Sequence, residues 1–545
     1  MATRSNSLAA PGRPRIHLLA RGWRRVAAAI LAGAASALAL PPLGWFPVLW
    51  ITLPVFVLLL DAAPARADAA PLARFRSGFA VGWSFGFGYF VGGLWWIGAA
   101  FLVDAAAFAW LMPAAVLALP AGLALFWGLG AGIARLFWTP DWSRLVVLAT
   151  ALSLTEWLRG HVLTGFPWNA FGYAMMPTPV LMQIASWIGI WGVTFFAFLI
   201  AAAPVLWFSR DPAYRFADRC AFFGLVALFL ANVGFGAARL AAADDATVPN
   251  IRLRLVQPRI AQDEKWASGR DDEILGRYLS LSATGMEDGK PAPFTHLIWP
   301  ETAFPFLLAQ NPNALAAIGA LLPEGTTLIT GAARAEAVVG EDVETRVFNS
   351  LQVIDSDGFI RQSYDKVHLV PFGEYLPLEA IFRRLGISQM IALPGGFDAG
   401  DRRLTLDLPD APSFSPLICY EIIFPGSVVD AENRPAWIVN LTNDGWFGDT
   451  PGPWQHLQQS VVRAVEEGLP VVRAANSGVS AIIDSYGRVR AQRGVELVAV
   501  LDGALPVALR PTIYSKYRDS LYFALMILAL VVVSTRGFTR TKQRN

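Results

Sequence analysis

The chain has 545 residues, more than one ordinary domain holds. Hydrophobic residues supply 54% of it and charged residues only 16%, which excludes both a disordered chain and an ordinary soluble one. The formal net charge is +2 and no basic patch stands out, so a nucleic-acid partner is not expected.

Charge is sparse from residue 26 to about 240, then returns to about residue 515. Residues 1–25 are basic, with Arg4, Arg13, Arg15, Arg21, Arg24 and Arg25. A bilayer crossing takes roughly 20 apolar residues. The uncharged run 26–60 contains Pro41-Pro42 and Gly44 and is read as a tight hairpin of two helices. Residues 77–103 and 105–134 are uncharged, and 142–158 is interrupted only by Arg144 and Glu156. Further apolar runs cover 180–208, 220–238 and 520–535. The reading is eight transmembrane helices, seven within 26–239 and the eighth within 517–536.

Basic loops favour the cytoplasm. Eight spans put on that side the N-terminus, the 61–76 loop with Arg66, Arg74 and Arg76, the 135–144 and 209–219 loops, and the tail 537–545. The polar segment 247–510 is then extracytoplasmic. Residues 1–40 also resemble a signal peptide, and cleavage near Ala37 is the alternative; it leaves the rest of the topology unchanged.

Within the polar segment, 251–256 alternates with period two, as a half-buried strand does. Strands are also expected at 296–299, 327–330, 350–354, 417–420, 437–441 and 480–484, with a turn at Asp355–Gly358 and helices over 272–286 and 456–467. Alternating strands and helices predict a layered α/β domain. In open α/β sheets functional residues sit past the carboxyl ends of strands. Glu301 follows Ile298-Trp299-Pro300, Lys366 follows Tyr364-Asp365, and Cys419 ends Leu417-Ile418.

The chain has two cysteines, and Cys220 lies in an apolar run, a poor disulfide partner for Cys419. A thiol must ionise to attack an ester. Glu301, among Trp299, Pro300, Phe304 and Pro305, suits a general base because burial raises a carboxyl pKa. Lys366, with a backbone N–H near Cys419, suits oxyanion stabilisation. Each residue alone has an ordinary explanation: a small core cysteine, a Pro-Glu turn, a solvated lysine. Together they make a triad without histidine.

Trp299-Pro300-Glu301, the run Tyr364 to Glu374 and Cys419-Tyr420-Glu421 resemble the three blocks of the nitrilase superfamily. Trp157 to Gly160, Gly165 to Trp168 and Thr442 to Phe447 extend the resemblance to the superfamily's membrane-embedded lipoprotein N-acyltransferases. The resemblance implies an α-β-β-α sandwich with Glu301, Lys366 and Cys419 as catalytic triad. It implies that Cys419 takes an acyl chain from a phospholipid as a thioester and releases a lysophospholipid. The chain then passes to the N-terminal α-amino group of an S-diacylglyceryl-cysteine lipoprotein, the final step of lipoprotein maturation. It further implies the bacterial inner membrane, with the catalytic domain on the periplasmic side, and no cofactor. Glu374 and Glu421 match supporting positions, Tyr420 follows the nucleophile, and Trp266 matches a tryptophan tied to substrate handling.

The apolar loop 166–176 has two readings, a lining of the lipid access route or an interfacial aromatic belt. Asn443-Asp444-Gly445 favours an ordinary turn. His368 and His456 are isolated in sequence, and no zinc-type spacing exists, so no metal is expected. One rival function is a membrane-tethered amidase or hydrolase with water as acceptor. Another is a lipid-binding or transport protein, disfavoured by the intact triad and by an expected lack of paired charges deep in the spans. A monomer is the default.

Overall fold

The computed structural model describes residues 22–544 except 65–68, 210, 266–268, 288–291, 340–342, 385–388 and 391–395. The basic residues before Gly22, Arg66 and Trp266 lie outside the described residues.

Each expected apolar run is helical. Helices α1 (Gly22–Ser36) and α2 (Leu49–Asp61) form the hairpin, tied by a 2.7 Å hydrogen bond between Ser36 Oγ and Thr52 Oγ1. They are followed by α3 (Pro71–Leu94), α4 (Met112–Leu136), α5 (Ser143–Arg159), α6 (Ala185–Ala202) and α7 (Arg215–Ala241). Among the described residues, four helical runs are long and apolar enough to cross a membrane: Pro71–Leu102, Ala105–Leu136, Ala185–Trp207 and Arg215–Ala241. Helices α1, α2 and α5 have 15, 13 and 17 residues, and so fall short of the usual crossing length. Cys220 is exposed on the apolar flank of α7.

Between membrane helices the driving force is close packing, which small residues permit. A Cβ added at Gly78, Gly82 or Gly86 of α3 would lie 2.4, 2.4 or 2.7 Å from atoms of α4. Gly88 of α3 and Gly33 of α1 meet the opposite helix's backbone in the same way. Helix α6 is buried along most of its length and is interrupted at Gly189, which has φ 61° and ψ 179°. Tyr514 fills the space that a side chain there would need.

The polar segment forms two six-stranded sheets. The first runs β12-β1-β2-β3-β4-β5, using β1 (Thr247–Gln257), β2 (His296–Ile298), β3 (Thr327–Val339), β4 (Val343–Ile354), β5 (Ile360–Asp365) and β12 (Ala499–Pro506). The second runs β11-β10-β9-β8-β7-β6, using β6 (Leu406–Leu408), β7 (Ala411–Ile418), β8 (Trp437–Thr442), β9 (Val471–Ala475), β10 (Ser480–Ile483) and β11 (Val489–Arg493). Pairing is parallel across β1-β2-β3 and β7-β8-β9 and antiparallel elsewhere. Helices α8 (Asp271–Ser282) and α9 (Pro312–Leu321) share an apolar cluster with the first sheet through Ile274, Tyr278, Trp299, Phe304 and Ile318. Helix α10 (Pro451–Glu467) joins the second sheet's core through Val461, Val462 and Val465. The chain closes with α11 (Ser520–Arg544).

Helix α10 is buried on nearly every face, because its other side docks on the helical bundle. Gln455 Oε1 accepts the indole N–H groups of Trp96 (3.1 Å) and Trp168 (3.0 Å), and its Nε2 donates to Gly93 O at 3.2 Å. Gln458 Nε2 donates to the carbonyls of Tyr173 and Met176. Glu466 Oε1 accepts the N–H of Ile190 at 2.7 Å, just past the break at Gly189.

Two expectations are corrected here. Trp168 to Met176 are buried, because the loop is the floor on which α10 stands. It is neither an open lipid lining nor a lipid-facing belt. Paired charges also occur next to the bundle: Arg159 and Glu156, both fully buried at the end of α5, pair at 2.8 and 2.9 Å. Their remaining valences hold the same loop. Glu156 accepts the Phe171 N–H and the Trp127 indole, and Arg159 donates to the carbonyls of Trp168 and Phe166.

Candidate active site

Strand β2 ends at Ile298, and its exit is laced to β3. Trp299 N donates to Ile329 O, Gly331 N to Pro300 O, and Ala303 N to Gly331 O. A Cβ at Gly331 would lie 2.6 Å from Glu301 Cα, so glycine alone lets the Glu301 backbone sit this close. Glu301 is 6% exposed. Lys366 follows β5, and its backbone N–H donates to Asn349 O at 2.9 Å. Its ammonium Nζ lies 2.9 Å from Glu374 Oε1 and 3.3 Å from Glu301 Oε1. Asn349, in the middle of β4, donates through Nδ2 to both carboxylates at 2.8 Å. Glu374 Oε2 accepts the Val370 N–H, which closes the loop.

Cys419 lies where β7 ends, with φ +51°. A non-glycine residue in that region is held there at a cost by its surroundings. Its carbonyl accepts from His456 Nε2 (3.2 Å) and Asn440 Nδ2 (3.4 Å). His456, on α10, and Asp444 share a 2.9 Å contact, and Asp444 also binds Arg473 and Thr442. Asn443-Asp444-Gly445 is thus a structural turn. His456 is a strut behind the thiol, and its role could not be read from its place in the sequence.

Glu421 bolts the lysine loop to the cysteine strand. Oε1 accepts from Val367 N (2.8 Å), His368 N (3.1 Å) and Tyr364 OH (3.0 Å), and Oε2 from Ile418 N (2.8 Å). Arg403 supplies the countercharge at 2.7 Å. Tyr420 reaches the other way, donating its hydroxyl to Gly165 O of the bundle at 3.2 Å.

The charge states follow from these contacts. Burial pushes the Cys419 thiol well above its ordinary range, the Glu301 charge pushes it further, and Lys366 only partly opposes them. The resting thiol is neutral and needs a base. Burial alone would lower the Lys366 ammonium, but Glu374 and then Glu301 outweigh it, so the group is held charged. Burial would raise Glu421, yet Arg403 and the backbone donors bring it below the usual carboxylate range.

The structure therefore brings together Glu301, Lys366, Glu374, Cys419, Tyr420 and Glu421, as the sequence led us to expect. Trp266 remains outside the described residues. Asn349, Arg403 and a second buried lysine, Lys265 (2% exposed), were not singled out from sequence. Asn349 and Arg403 carry no motif. Lys265 stands unremarked beside Trp266 in the sequence.

Two stacked sheets, with these residues at strand ends, define a carbon-nitrogen hydrolase domain joined to a bundle of apolar helices. The carbon-nitrogen hydrolase family model matches residues 296–509, and the model of the apolipoprotein N-acyltransferase N-terminal domain matches residues 32–203. An apolipoprotein N-acyltransferase of Rhodopseudomonas palustris is 47% identical over 524 residues, 95% of this chain and 96% of its own. Its counterparts from Bradyrhizobium diazoefficiens and Brucella melitensis are 49% and 46% identical, covering 95% and 97% of this chain and 96% and 98% of theirs. The chain belongs to the apolipoprotein N-acyltransferase family. Among solved structures, an amidase from Nesterenkonia sp. aligns with 52% of this chain and 99% of its own, at 18% identity and a TM-score of 0.35.

Proposed function

We propose that the protein transfers an acyl chain from a phospholipid to the N-terminal α-amino group of an S-diacylglyceryl-cysteine lipoprotein, through a thioester on Cys419. The observation that carries this reading is the convergence of a buried thiol, an ammonium and two carboxylates on an α/β domain docked to apolar helices. Glu301 takes the thiol proton as Cys419 attacks the ester carbonyl, and it delivers that proton to the departing lysophospholipid oxygen. Lys366 and a backbone N–H near Cys419 stabilise the oxyanion. Glu374 and Asn349 fix Lys366 and Glu301 in register. Glu421 holds the lysine loop against the nucleophile strand, and Tyr420 ties that strand to the bundle. Trp266 is assigned to substrate handling.

We place the chain in the bacterial inner membrane as a monomer with eight spans, the catalytic domain on the periplasmic side. The shorter helices α1, α2 and α5 cross with their loops at the interface. A membrane-tethered hydrolase using water would need the same triad. The extensive docking of α10 on the bundle favours the transferase, since a tether requires no such joint.

Intact mass spectrometry after incubation with phospholipid alone tests this. A gain of one acyl chain is expected, labile to hydroxylamine, absent from Cys419→Ser and discharged by a diacylated lipopeptide. A folded protein that releases free fatty acid without a lipopeptide, and never holds the adduct, would be a hydrolase.

A further inference from the structure

Behind the nucleophile, a set of buried polar groups converges on one atom, the Cys419 carbonyl oxygen. It accepts from His456 Nε2 at 3.2 Å and from Asn440 Nδ2 at 3.4 Å. A carbonyl only accepts, so the His456 ring carries a hydrogen on Nε2 in either charge state. His456 Nδ1 lies 2.9 Å from Asp444 Oδ1 and 3.0 Å from Arg473 Nη2. Arg473 Nη2 also donates to Asp444 Oδ2 at 2.6 Å, and its Nη1 donates to Asn440 Oδ1. Thr442 Oγ1 donates to Asp444 Oδ1 at 2.9 Å. None of His456, Asn440, Asp444, Arg473 and Thr442 is more than 1% exposed. Burying this much polarity costs free energy that an apolar filling would not, so a structural prop alone is a poor account of it.

The geometry of the peptide gives that oxygen its importance. The Cys419–Tyr420 bond is trans, so the Tyr420 N–H points away from the direction of the carbonyl. Helix α10, which holds the carbonyl through His456, lies between the second sheet and the bundle. Glu301 and Lys366 follow strands of the first sheet, on the opposite side of the nucleophile's strand. Tyr420 is the second residue of the short helix Cys419–Ile423, so its N–H has no acceptor within that helix. A donor at the carbonyl polarises the peptide and strengthens its N–H. The same donors help to hold Cys419 at φ +51°, a conformation that persists only under such restraint.

We propose that His456, together with Asn440, orients and polarises the Cys419–Tyr420 peptide so that the Tyr420 N–H completes the oxyanion site opposite Lys366. His456 acts through the peptide and touches no reacting atom, so it is a positioning residue. The inference rests on the acyl-transfer reading and concerns its first half-reaction. The Cys419 sulfur bonds to the ester carbonyl carbon, the C=O π pair moves onto oxygen, and Glu301 holds the thiol proton. The Lys366 ammonium and the Tyr420 N–H meet the resulting oxyanion. The pair then returns, the bond to the lysophospholipid oxygen breaks, and that oxygen takes the proton from Glu301.

The test compares two reactions of the same sulfur in the full-length enzyme carrying Cys220→Ser. Single-turnover release of lysophospholipid from phospholipid needs both the thiolate and the oxyanion donors. Alkylation of Cys419 by iodoacetamide needs only the thiolate, since displacing iodide builds no oxyanion. The readout is the ratio of the two rates in the parent and with His456→Leu, His456→Gln or Asn440→Ala added. Removing a whole oxyanion donor costs roughly 10²–10³ in rate. Weakening one in place should lower the ratio about tenfold or more in His456→Leu, and by less in Asn440→Ala. His456→Gln, whose amide N–H can reach the same carbonyl, should recover most of it. An unchanged ratio in His456→Leu overturns the proposal. So does an equal fall in both reactions, which would make the histidine a support for the sulfur alone, and so does a lack of recovery in a His456→Gln enzyme that is alkylated normally. If His456→Leu does not fold, Asn440→Ala decides in the same way, because it removes a donor to the same oxygen from β8. A parent enzyme that is alkylated yet releases no lysophospholipid would instead sink the acyl-transfer reading, and this inference with it.

Discussion

Glu421 shows how one side chain can set the geometry of a site it does not itself react in. Its two oxygens collect three backbone N–H groups, one phenol and one guanidinium from both sides of the pocket. Replacing it with glutamine leaves the largely enclosed Arg403 without its countercharge and turns one acceptor into a donor. Breaking a buried pair in this way costs about 3–5 kcal/mol. Glu421→Gln should therefore slow thioester formation by roughly a hundredfold or more while Cys419 itself is intact. The rate of adduct formation by mass spectrometry measures this; a variant within a few-fold of wild type would show that the bolt is dispensable. The residues legible in the sequence were those at strand ends within motifs: Glu301, Lys366 and Cys419. Asn349 was not legible, because it sits mid-strand and only the pairing of β4 with β5 brings it beside Lys366. His456 was not legible either, since its bond to the Cys419 carbonyl spans 37 residues of sequence.

At the scale of elements, α10 is the joint. Its Gln455 satisfies two indole donors that belong to different parts of the bundle, while the next residue, His456, holds the nucleophile's carbonyl. Gln455→Leu keeps the volume and removes both acceptor bonds. Trp96 keeps its 2.9 Å bond to Gly93 O, so the Trp168 indole is the donor left stranded, at about 1–3 kcal/mol, and the detergent-solubilised protein should melt lower. Activity should fall with it, since Trp168 packs against His456 at 5.1 Å between ring centroids. A normal Tm with full activity would mean that the joint tolerates loss of its polar core. Long, strongly patterned elements were readable in advance: the apolar helices and strands β1, β2, β3, β4, β7, β8 and β10. Strands β9, β11 and β12 were not. Val471 to Ala475 is a short run broken by Arg473. Val489 to Arg493 is mostly polar and lies at the sheet edge. Ala499 to Pro506 contains Asp502-Gly503, which imitates a turn. Strand β12 is instead fixed by pairing with β1, far away in sequence.

For the molecule as a whole, the distribution of charge led to an expected division into bundle and polar domain; helices occupy 22–241, and the strands of the two sheets lie between Thr247 and Pro506. The side of the membrane proposed for each loop is an expectation from the basic loops, and it is testable. In a Cys220→Ser background, Leu163→Cys should be labelled by an impermeant thiol reagent from the periplasmic side, since Leu163 is 91% exposed. Asp211→Cys, in the basic loop between α6 and α7, should be labelled only after the membrane is opened. Labelling of both from one side would rule out the eight-span topology. What could not be anticipated is how tightly the halves interlock, because that depends on side chains from α10 meeting a loop some 280 residues earlier.

The contact between Glu466 and Ile190 has a consequence for inheritance and engineering alike. A carboxylate from the polar half supplies the N-terminal cap for the second segment of α6, in the heart of the bundle. Neither half is then a finished object. Cut away, the helical half would leave an orphan amide at the break, and the polar half would present α10 as a bare strip of apolar surface and stranded amides. Such a chain resists modular reuse: its two parts are expected to fold, fail and be passed on together.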